Sequence, residues 1–110
     1  MGKYDPEIYR AKANLCKTLA DPTRQMMLAE LRMGEKTVGE IAEGIGATQP
    51  SASHHLAILR ERGIVVARRD GANVYYSLAN PKISEACDIV HGVLLSQISR
   101  SKEIADRLLT

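Results

Sequence analysis

The sequence contains no long hydrophobic run. None of its 110 residues belongs to a stretch that approaches the roughly 18 consecutive apolar residues needed to cross a bilayer. The start of the chain, MGKYDPEIYR, also lacks the apolar segment of a secretory signal. We therefore predict a cytoplasmic protein with no membrane partner.

Cysteines and catalytic motifs are equally scarce. The two cysteines, Cys16 and Cys87, lie far apart and in no Cys-x-x-Cys arrangement, which excludes a disulfide framework and a zinc finger. The sequence has no glycine-rich phosphate loop, no carboxylate pair placed for acid–base catalysis and no nucleophile motif. Since 110 residues is the size of one domain, we predict a single domain over residues 1–110 that is not an enzyme.

Positive charge is concentrated in one part of the chain. The formal net charge is only +2, which by itself is weak evidence for a nucleic-acid partner. Four arginines nevertheless fall close together in the second half: Arg60, Arg62, Arg68 and Arg69. A local basic face is therefore expected despite the low net charge.

Two amphipathic helices open the chain. From Asp5 to Leu19 apolar residues recur every three or four positions, the period of one helix face. They are Ile8, Ala11, Leu15 and Leu19. The pair Asp21-Pro22 begins a second helix, because aspartate caps backbone N–H groups and proline fits the first turn. This helix is expected to end near Gly34 and to bury Met26 and Met27 in the core.

A short third helix follows a capping box. Thr37 and Glu40 have the spacing at which a hydroxyl and a carboxylate satisfy each other's backbone donors. Gly44 and Gly46 mark the end of this helix, where the chain must turn sharply. Its apolar stripe consists of Val38, Ile41, Ala42 and Ile45.

The fourth helix has one packing side and one free side. Thr48 is placed to cap it, and Pro50 is tolerated in its first turn. Helical spacing gives the packing side Ala52, His55, Leu56 and Leu59. The other side is small and polar and is predicted to be free; it holds Gln49, Pro50, Ser51, Ser53, His54 and Ala57.

A β-hairpin and a long helix complete the chain. Residues 64–69 and 74–78 are rich in strand formers on either side of the turn dipeptide Asp70-Gly71, and Ala72 and Asn73 are expected to lengthen the loop beyond two residues. Asn80-Pro81 then begins a helix. Its apolar stripe is Ile83, Ala86, Cys87, Val90, Leu94 and Ile98, with Ile104 and Leu108 as its continuation. Such a stripe needs a partner surface, as does that of the first helix.

This order of elements predicts a winged helix-turn-helix. The fold is mainly α with a β-hairpin, about five helices plus a two-stranded wing. Residues 37–62 form the helix-turn-helix and residues 64–78 the wing. Residues 1–20 and 80–110 are the dimerisation helices, duplicated by symmetry.

The polar side of the fourth helix and the basic wing predict DNA binding. Small and hydrogen-bonding side chains allow the start of a helix to approach base edges in the major groove, and arginines at a hairpin suit phosphates or a minor groove. The predicted contacts are Thr48, Gln49, Pro50, Ser51, Ser53, His54, Arg60, Arg68, Arg69 and Asn73. The alternative is a winged-helix module that binds protein and has no specific DNA affinity.

Three segments resemble one known family. They are LADPTRQMMLAEL, EKTVGEIAEGIGATQPSASHHLAILRERGIV and ARRDGANVYYSLANP. Together they are similar to the ArsR/SmtB family of metal- and stress-responsive repressors. The resemblance implies a homodimer on double-stranded operator DNA with an inverted repeat, released when an effector binds.

Neither of two metal sites known in that family has its ligands here. Where one of them has a pair of cysteines, this chain has Thr37 and Gly39. Where the other has Asp, His, His and Glu, the matching positions are Asn80, Lys82, Val93 and Ser96. The resemblance therefore predicts no zinc sensing by either arrangement.

Four residues remain as candidate sensors: Cys16, Cys87, Asp88 and His91. Cys87 and His91 are helical neighbours, so a thiolate and an imidazole are available to a thiophilic metal ion or metalloid, with Cys16 of a second subunit as a further ligand. Oxidation or persulfidation of the two thiols is a second interpretation. Simple packing of Cys87 in the apolar stripe is the third, and no cofactor is certain.

His54 and His55 are adjacent and point about 100° apart on a helix, so we assign His54 to DNA and His55 to packing.

Overall fold

A computed structural model describes residues 2–109. They form two compact units, divided between Asn80 and Pro81. The first unit contains α1 (Pro6–Leu19), α2 (Pro22–Arg32), α3 (Val38–Ile45), α4 (Gln49–Glu61), β1 (Val65–Asp70) and β2 (Asn73–Leu78). The second unit is the single helix α5 (Lys82–Leu109). Within the described residues these are the predicted five helices and two-stranded hairpin.

The helix starts lie where the capping residues predict them. Asp5 Oδ1 accepts a hydrogen bond from the Glu7 N–H at 2.9 Å, and Asp21 Oδ2 accepts one from the Arg24 N–H at 3.1 Å. A proline occupies the first turn after each of these caps. The caps satisfy donors that have no partner inside a helix, which fixes where α1 and α2 begin.

The capping box of α3 is complete. The Glu40 N–H donates to Thr37 Oγ1 at 3.2 Å, and the Thr37 N–H donates to Glu40 Oε1 at 3.0 Å. The backbone N–H of Thr37 holds the pKa of Glu40 below its ordinary value, because it binds the ionised carboxylate. Thr37 and Glu40 therefore set the start of α3, the first helix of the helix-turn-helix.

The two glycines near the end of α3 have different roles. Gly46 has φ +68°, and the next residue donates its N–H to Ala42 O at 2.9 Å, as in a Schellman turn. Gly44 lies inside the helix, and a Cβ there would collide with the carboxylate of Glu30. The helix ends at Ile45, between the two glycines, so the prediction that they bracket its end is confirmed.

Replacing Gly46 by alanine is expected to destabilise the fold by about 1–2 kcal/mol, because a Cβ disfavours the left-handed backbone. No atom lies within 4 Å of the new Cβ, so backbone strain alone decides the effect. The midpoint of urea unfolding measures it. Gly39→Ala, in the first turn of α3, is the matched control and should leave the midpoint unchanged or raise it. Equal midpoints for the two variants would contradict the assignment.

The hydrophobic core lies among α2, α3, α4 and the start of the hairpin. Its buried apolar residues are Met27, Leu28, Leu31, Ile41, Ala42, Ala52, Leu56, Leu59, Ile64 and Val65. Met27 is fully buried, as predicted, but Met26 is 47% exposed. The buried residues Met27, Leu28 and Leu31 span about 100° around α2, and Met26 points about 100° outside that arc.

The hairpin is tighter than predicted. Its register pairs Val65 with Leu78 and Asp70 with Asn73, so Asn73 is the first residue of β2 and the loop is only Gly71-Ala72. Gly71 has φ +61° and Ala72 has a negative φ, the pattern of a type II′ turn. The expected lengthening of the loop by Ala72 and Asn73 was wrong, since a glycine at the first loop position suffices for a two-residue turn.

A third segment anchors the hairpin to the helices. Lys36 forms an isolated antiparallel bridge with Tyr76: the Lys36 N–H donates to Tyr76 O at 3.0 Å, and the Tyr76 N–H donates to Lys36 O at 2.8 Å. The Lys36 ammonium also pairs with Glu30 of α2 at 2.5 Å. The chain just before α3 thus fixes β2.

Few residues of the first and last helices are buried. Thr18 is the only buried residue of α1, and α5 has none among its 28 residues. The apolar stripe of α5 is largely exposed, with Val90 at 67% and Leu94 at 50%. The helix also continues well past Gln97, through the predicted continuation of the stripe at Ile104 and Leu108.

Candidate nucleic-acid interface

The two sides of α4 differ as the sequence predicts. Ala52, Leu56 and Leu59 are buried against the core. The leading turn faces outwards instead, with Gln49, Pro50, Ser53 and His54 exposed. Thr48 caps the helix by accepting the Ser51 N–H at 3.2 Å. Ser51 itself is half-buried rather than fully free, which gives it less access to a ligand than its neighbours have.

An arginine that the sequence pattern did not single out holds the inner side of α4. Arg24 of α2 donates from Nε to His55 Nδ1 at 3.3 Å and from a terminal nitrogen to Thr18 O at 3.2 Å. The carboxylate of Asp21 lies 4.0 Å from the same His55 nitrogen. His55 is therefore a half-buried packing residue, and it ties α4 to the end of α1 through Arg24.

A groove separates α4 from the hairpin. It has a volume of about 430 Å³ and is lined by Ser53, Leu56, Ala57, Arg60, Glu61 and Tyr76. The Arg60 side chain is exposed and forms no ion pair within residues 2–109. A polar helix face, an unpaired guanidinium and the wing thus border one open channel.

The two arginines of the wing lie on opposite faces of the hairpin. Arg68 is paired with Tyr75 and Arg69 with Val74, and successive strand residues alternate between faces. Because residues two apart share a face, Arg69 is on the side of Ala67 and its partner Tyr76, the residue that lines the groove. Arg68 is on the reverse side.

Arg68 is engaged by the protein itself. It donates to both carboxylate oxygens of Glu35, at 2.6 and 3.3 Å, lies 3.8 Å from Asp70 and stacks on the Tyr75 ring at 5.0 Å. The hydrogen bond from Arg68 lowers the pKa of Glu35, so this pair persists at neutral pH and is lost only as the pH falls through that lowered value. Arg69 is exposed and has no such partner among the described residues.

The predicted contacts therefore fall into two groups. Ser53 and Arg60 line the groove, and Arg69 is on the hairpin face that carries Tyr76 of the same lining. Arg68 and Asn73 are on the reverse face of the wing, where Asn73 pairs with Asp70. Three contacts had no signal in the helix and strand periodicity: Arg24 with His55, Arg68 with Glu35 and Lys36 with Tyr76. The only sequence signal for the bridge at Lys36 is the position of Glu35 and Lys36 between Gly34 and the capping box, where a short extended segment fits.

The candidate sensor residues are divided between the two compact units, with Cys16 in the first and Cys87, Asp88 and His91 in the second. Cys16 on α1 is exposed, Cys87 on α5 is half-buried, and Asp88 and His91 are exposed. Across residues 2–109 no three His, Cys, Asp or Glu side chains are grouped so that they could hold a metal ion. In the same part of the chain no helix is both long and apolar enough to traverse a bilayer.

The geometry agrees with comparisons to known proteins. The family model for bacterial regulatory proteins of the arsR family matches residues 21–66, from the cap of α2 to the start of the wing. The biofilm growth-associated repressor of Xylella fastidiosa is 39% identical over 85 residues, which are 77% of this chain and 75% of that protein. The chain belongs to the ArsR family.

Solved structures of similar proteins confirm the fold. The crystal structure of Rv0081 from Mycobacterium tuberculosis has a TM-score of 0.80 and 37% identity, covering 88% of this chain and 97% of that one. The homodimeric winged helix-turn-helix DNA-binding domain of Mb0332 from Mycobacterium bovis has a TM-score of 0.78 and 28% identity, covering 91% and 95%. The predicted winged helix-turn-helix is confirmed, and so is the prediction of a DNA-binding transcriptional repressor of the ArsR family. The relatives are regulators rather than enzymes.

Proposed function

We propose that this ArsR-family protein represses transcription as a homodimer on an inverted-repeat operator, with α4 in the major groove and the wing beside it. The observation that carries the proposal is the two-sided character of α4. On its inner side Ala52, Leu56 and Leu59 are buried against the core, while its leading turn presents polar side chains to solvent. A helix mounted in this way has the form that major-groove recognition needs.

Base contacts are assigned to the leading turn of α4. Gln49 is suited to a bidentate pair with adenine, and Ser53 and His54 can donate or accept at several base edges. Within residues 2–109 none of the three side chains has a hydrogen-bond partner, so DNA need not displace one. Thr48 and Ser51 support this turn mainly through the cap.

Phosphate contacts are assigned to Arg60 and Arg69. Both are exposed and unpaired within the described chain. Arg60 lines the groove between α4 and the wing, and Arg69 is on the hairpin face that carries Tyr76, another residue of that lining. Binding of a phosphate by either arginine costs no internal ion pair. Arg68 would first have to leave Glu35, so its contribution to DNA affinity is the smaller one.

Dimerisation is assigned to α1 and α5, residues 1–20 and 80–110. Their apolar stripes are exposed in the isolated chain, and an exposed apolar surface of this size indicates an association surface. A twofold dimer presents two copies of α4, so the two half-sites must form an inverted repeat. Residues 37–62 and 64–78 then act as the helix-turn-helix and wing of a single non-enzymatic domain. Since the proposed target is operator DNA, the protein would act in the cytoplasm.

Selection from a random duplex library by the protein itself tests this function. We expect enrichment of an inverted repeat whose half-sites are centred about one helical turn, or a multiple of it, apart. Light scattering of the complex should give two protein chains per duplex. Failure to enrich any sequence, with binding that is equal for all duplexes, would instead support the alternative of a protein-interaction module without specific DNA affinity.

The two wing arginines provide a matched pair of variants. Arg69→Ala should weaken binding to the selected duplex and to unrelated duplexes alike, and should lower the slope of log K against log salt by about 1, because one phosphate contact is lost. Arg68→Ala should leave that slope nearly unchanged, because this arginine is already neutralised by Glu35. Fluorescence anisotropy from 50 to 200 mM salt measures both slopes. A larger loss for Arg68→Ala would reverse the assignment of the two faces.

A further inference from the structure

A second hollow lies on the side of α4 that faces α1, away from the wing. One part, of about 330 Å³, is lined by residues that include Asn14, Lys17, Arg24, Ile58, Glu61 and Arg62. A second part, of about 270 Å³, shares Asn14, Thr18 and Arg62 with it and is extended by Ala11 and Leu15. The shared residues make the two parts one groove between α1 and the end of α4, wholly within the first compact unit.

The charge of this groove is predominantly positive. Three cations, Lys17, Arg24 and Arg62, line it against one carboxylate, Glu61. Within residues 2–109 the side chains of Lys17 and Arg62 form no ion pair or hydrogen bond, and neither does the Asn14 side-chain amide. The groove therefore offers two unneutralised cations and a free amide in one concave place.

Arg24 gives the groove a preorganised donor. Its guanidinium is half-buried and is held by two hydrogen bonds, to His55 Nδ1 at 3.3 Å and to Thr18 O at 3.2 Å. An arginine side chain has five N–H donors, so three remain for a ligand after these two bonds. A fixed, planar donor of this kind is suited to a carboxylate or a phosphate group.

We propose that this groove is a binding site for a small organic anion that carries carboxylate or phosphate groups. The volume suits a metabolite-sized molecule, since ligand pockets begin at roughly 300 Å³. The cations would bind the acidic groups, and Ile58 of α4 would contact the carbon skeleton.

Such a ligand would act on DNA binding through Arg24. The guanidinium that lines the groove also holds His55 on the inner side of α4 and the end of α1. An anion bound to the remaining donors of Arg24 acts on the same guanidinium that supports the recognition helix and would thus be an effector. This step rests on the proposed function, and linkage then requires that the selected duplex and the anion alter each other's affinity by the same factor.

NMR titration of the DNA-free dimer with citrate and, separately, inorganic phosphate tests the site. We expect saturable shifts at the Asn14 side-chain amide and at Arg24 Nε with at least one of the two anions, and the anion that binds distinguishes carboxylate from phosphate. Sodium chloride at equal ionic strength should not reproduce them. The double variant Lys17→Ala/Arg62→Ala should bind the anion at least tenfold more weakly than the unmodified protein. Lys17→Ala alone should cause part of this loss. Arg10→Ala, which removes an α1 cation outside the groove, should not.

Linear shifts that sodium chloride reproduces, or full binding by the double variant, would overturn the site. The effector role is measured separately, by anisotropy with the selected duplex at constant ionic strength. A change in DNA affinity on the order of tenfold with the anion is expected, and no change would overturn the coupling. Since the titration contains no DNA, its result stands apart from the success or failure of operator selection.

Discussion

Substitution of Val90 and Leu94 by aspartate is expected to convert the dimer into a monomer and to abolish operator binding at physiological salt. The two side chains are four residues apart and thus neighbours on the apolar stripe of α5, exposed by 67% and 50% in the isolated chain. In a dimer they would be covered, and each unpaired carboxylate placed there costs several kcal/mol. Light scattering gives the mass and anisotropy gives the DNA affinity.

Ser99→Asp is the control for that variant. Ser99 lies on the opposite side of α5 by helical spacing and is also exposed, so it adds a charge without entering the stripe. This variant should remain a dimer and should bind the operator. If the aspartate double variant stays dimeric, the apolar stripe of α5 is not the dimer interface. If it becomes a monomer that binds the operator with full affinity, DNA binding does not require a twofold dimer.

Alanine at both Gln49 and His54 is expected to cost about 2–6 kcal/mol of specific DNA binding, at about 1–3 kcal/mol for each lost base contact. Both side chains are exposed and form no hydrogen bond in the described chain, so the urea midpoint should stay unchanged. Anisotropy with the selected duplex measures the loss.

A scrambled duplex of the same length separates base readout from general affinity. The double variant should bind that duplex as the unmodified protein does, because phosphate contacts by Arg60 and Arg69 are retained. An equal loss on both duplexes, or none on the selected one, would show that α4 does not read the bases.

Local chemistry made much of the fold predictable. The caps at Asp5, Asp21, Thr37 and Thr48 locate the helix starts to within a residue, because each depends on hydrogen bonds that span two or three positions. The exposed polar turn of α4 was predictable for the same reason. Helical spacing alone does not tell which residue of an adjacent apolar pair is buried. Met27 is buried and Met26 is exposed, although both are methionines of the same helix.

Contacts between distant residues were not predictable from periodicity. Arg24 and His55 are 31 positions apart, and Arg68 and Glu35 are 33 apart. Each pairing depends on how two elements meet, so the sequence alone treated Arg68 and Arg69 as equivalent. The length of the hairpin loop was not predictable, because Gly71 favours a two-residue turn whereas Asn73 is also common in longer loops. The strand register, which pairs Asp70 with Asn73, decides between the two.

The alternation of the wing gives a counting rule for paralogues. Val65 is buried in the core, so the number of residues from Val65 to a basic residue, odd or even, determines which face of the hairpin carries that side chain. Under the proposed function one of these faces contacts DNA and the other does not. A paralogue with one residue inserted between this anchor and the two arginines would exchange their roles without any change in composition. Whether the number of residues from the core anchor to each arginine is odd or even, rather than how many arginines the wing has, should therefore predict how strongly salt weakens DNA binding by each family member.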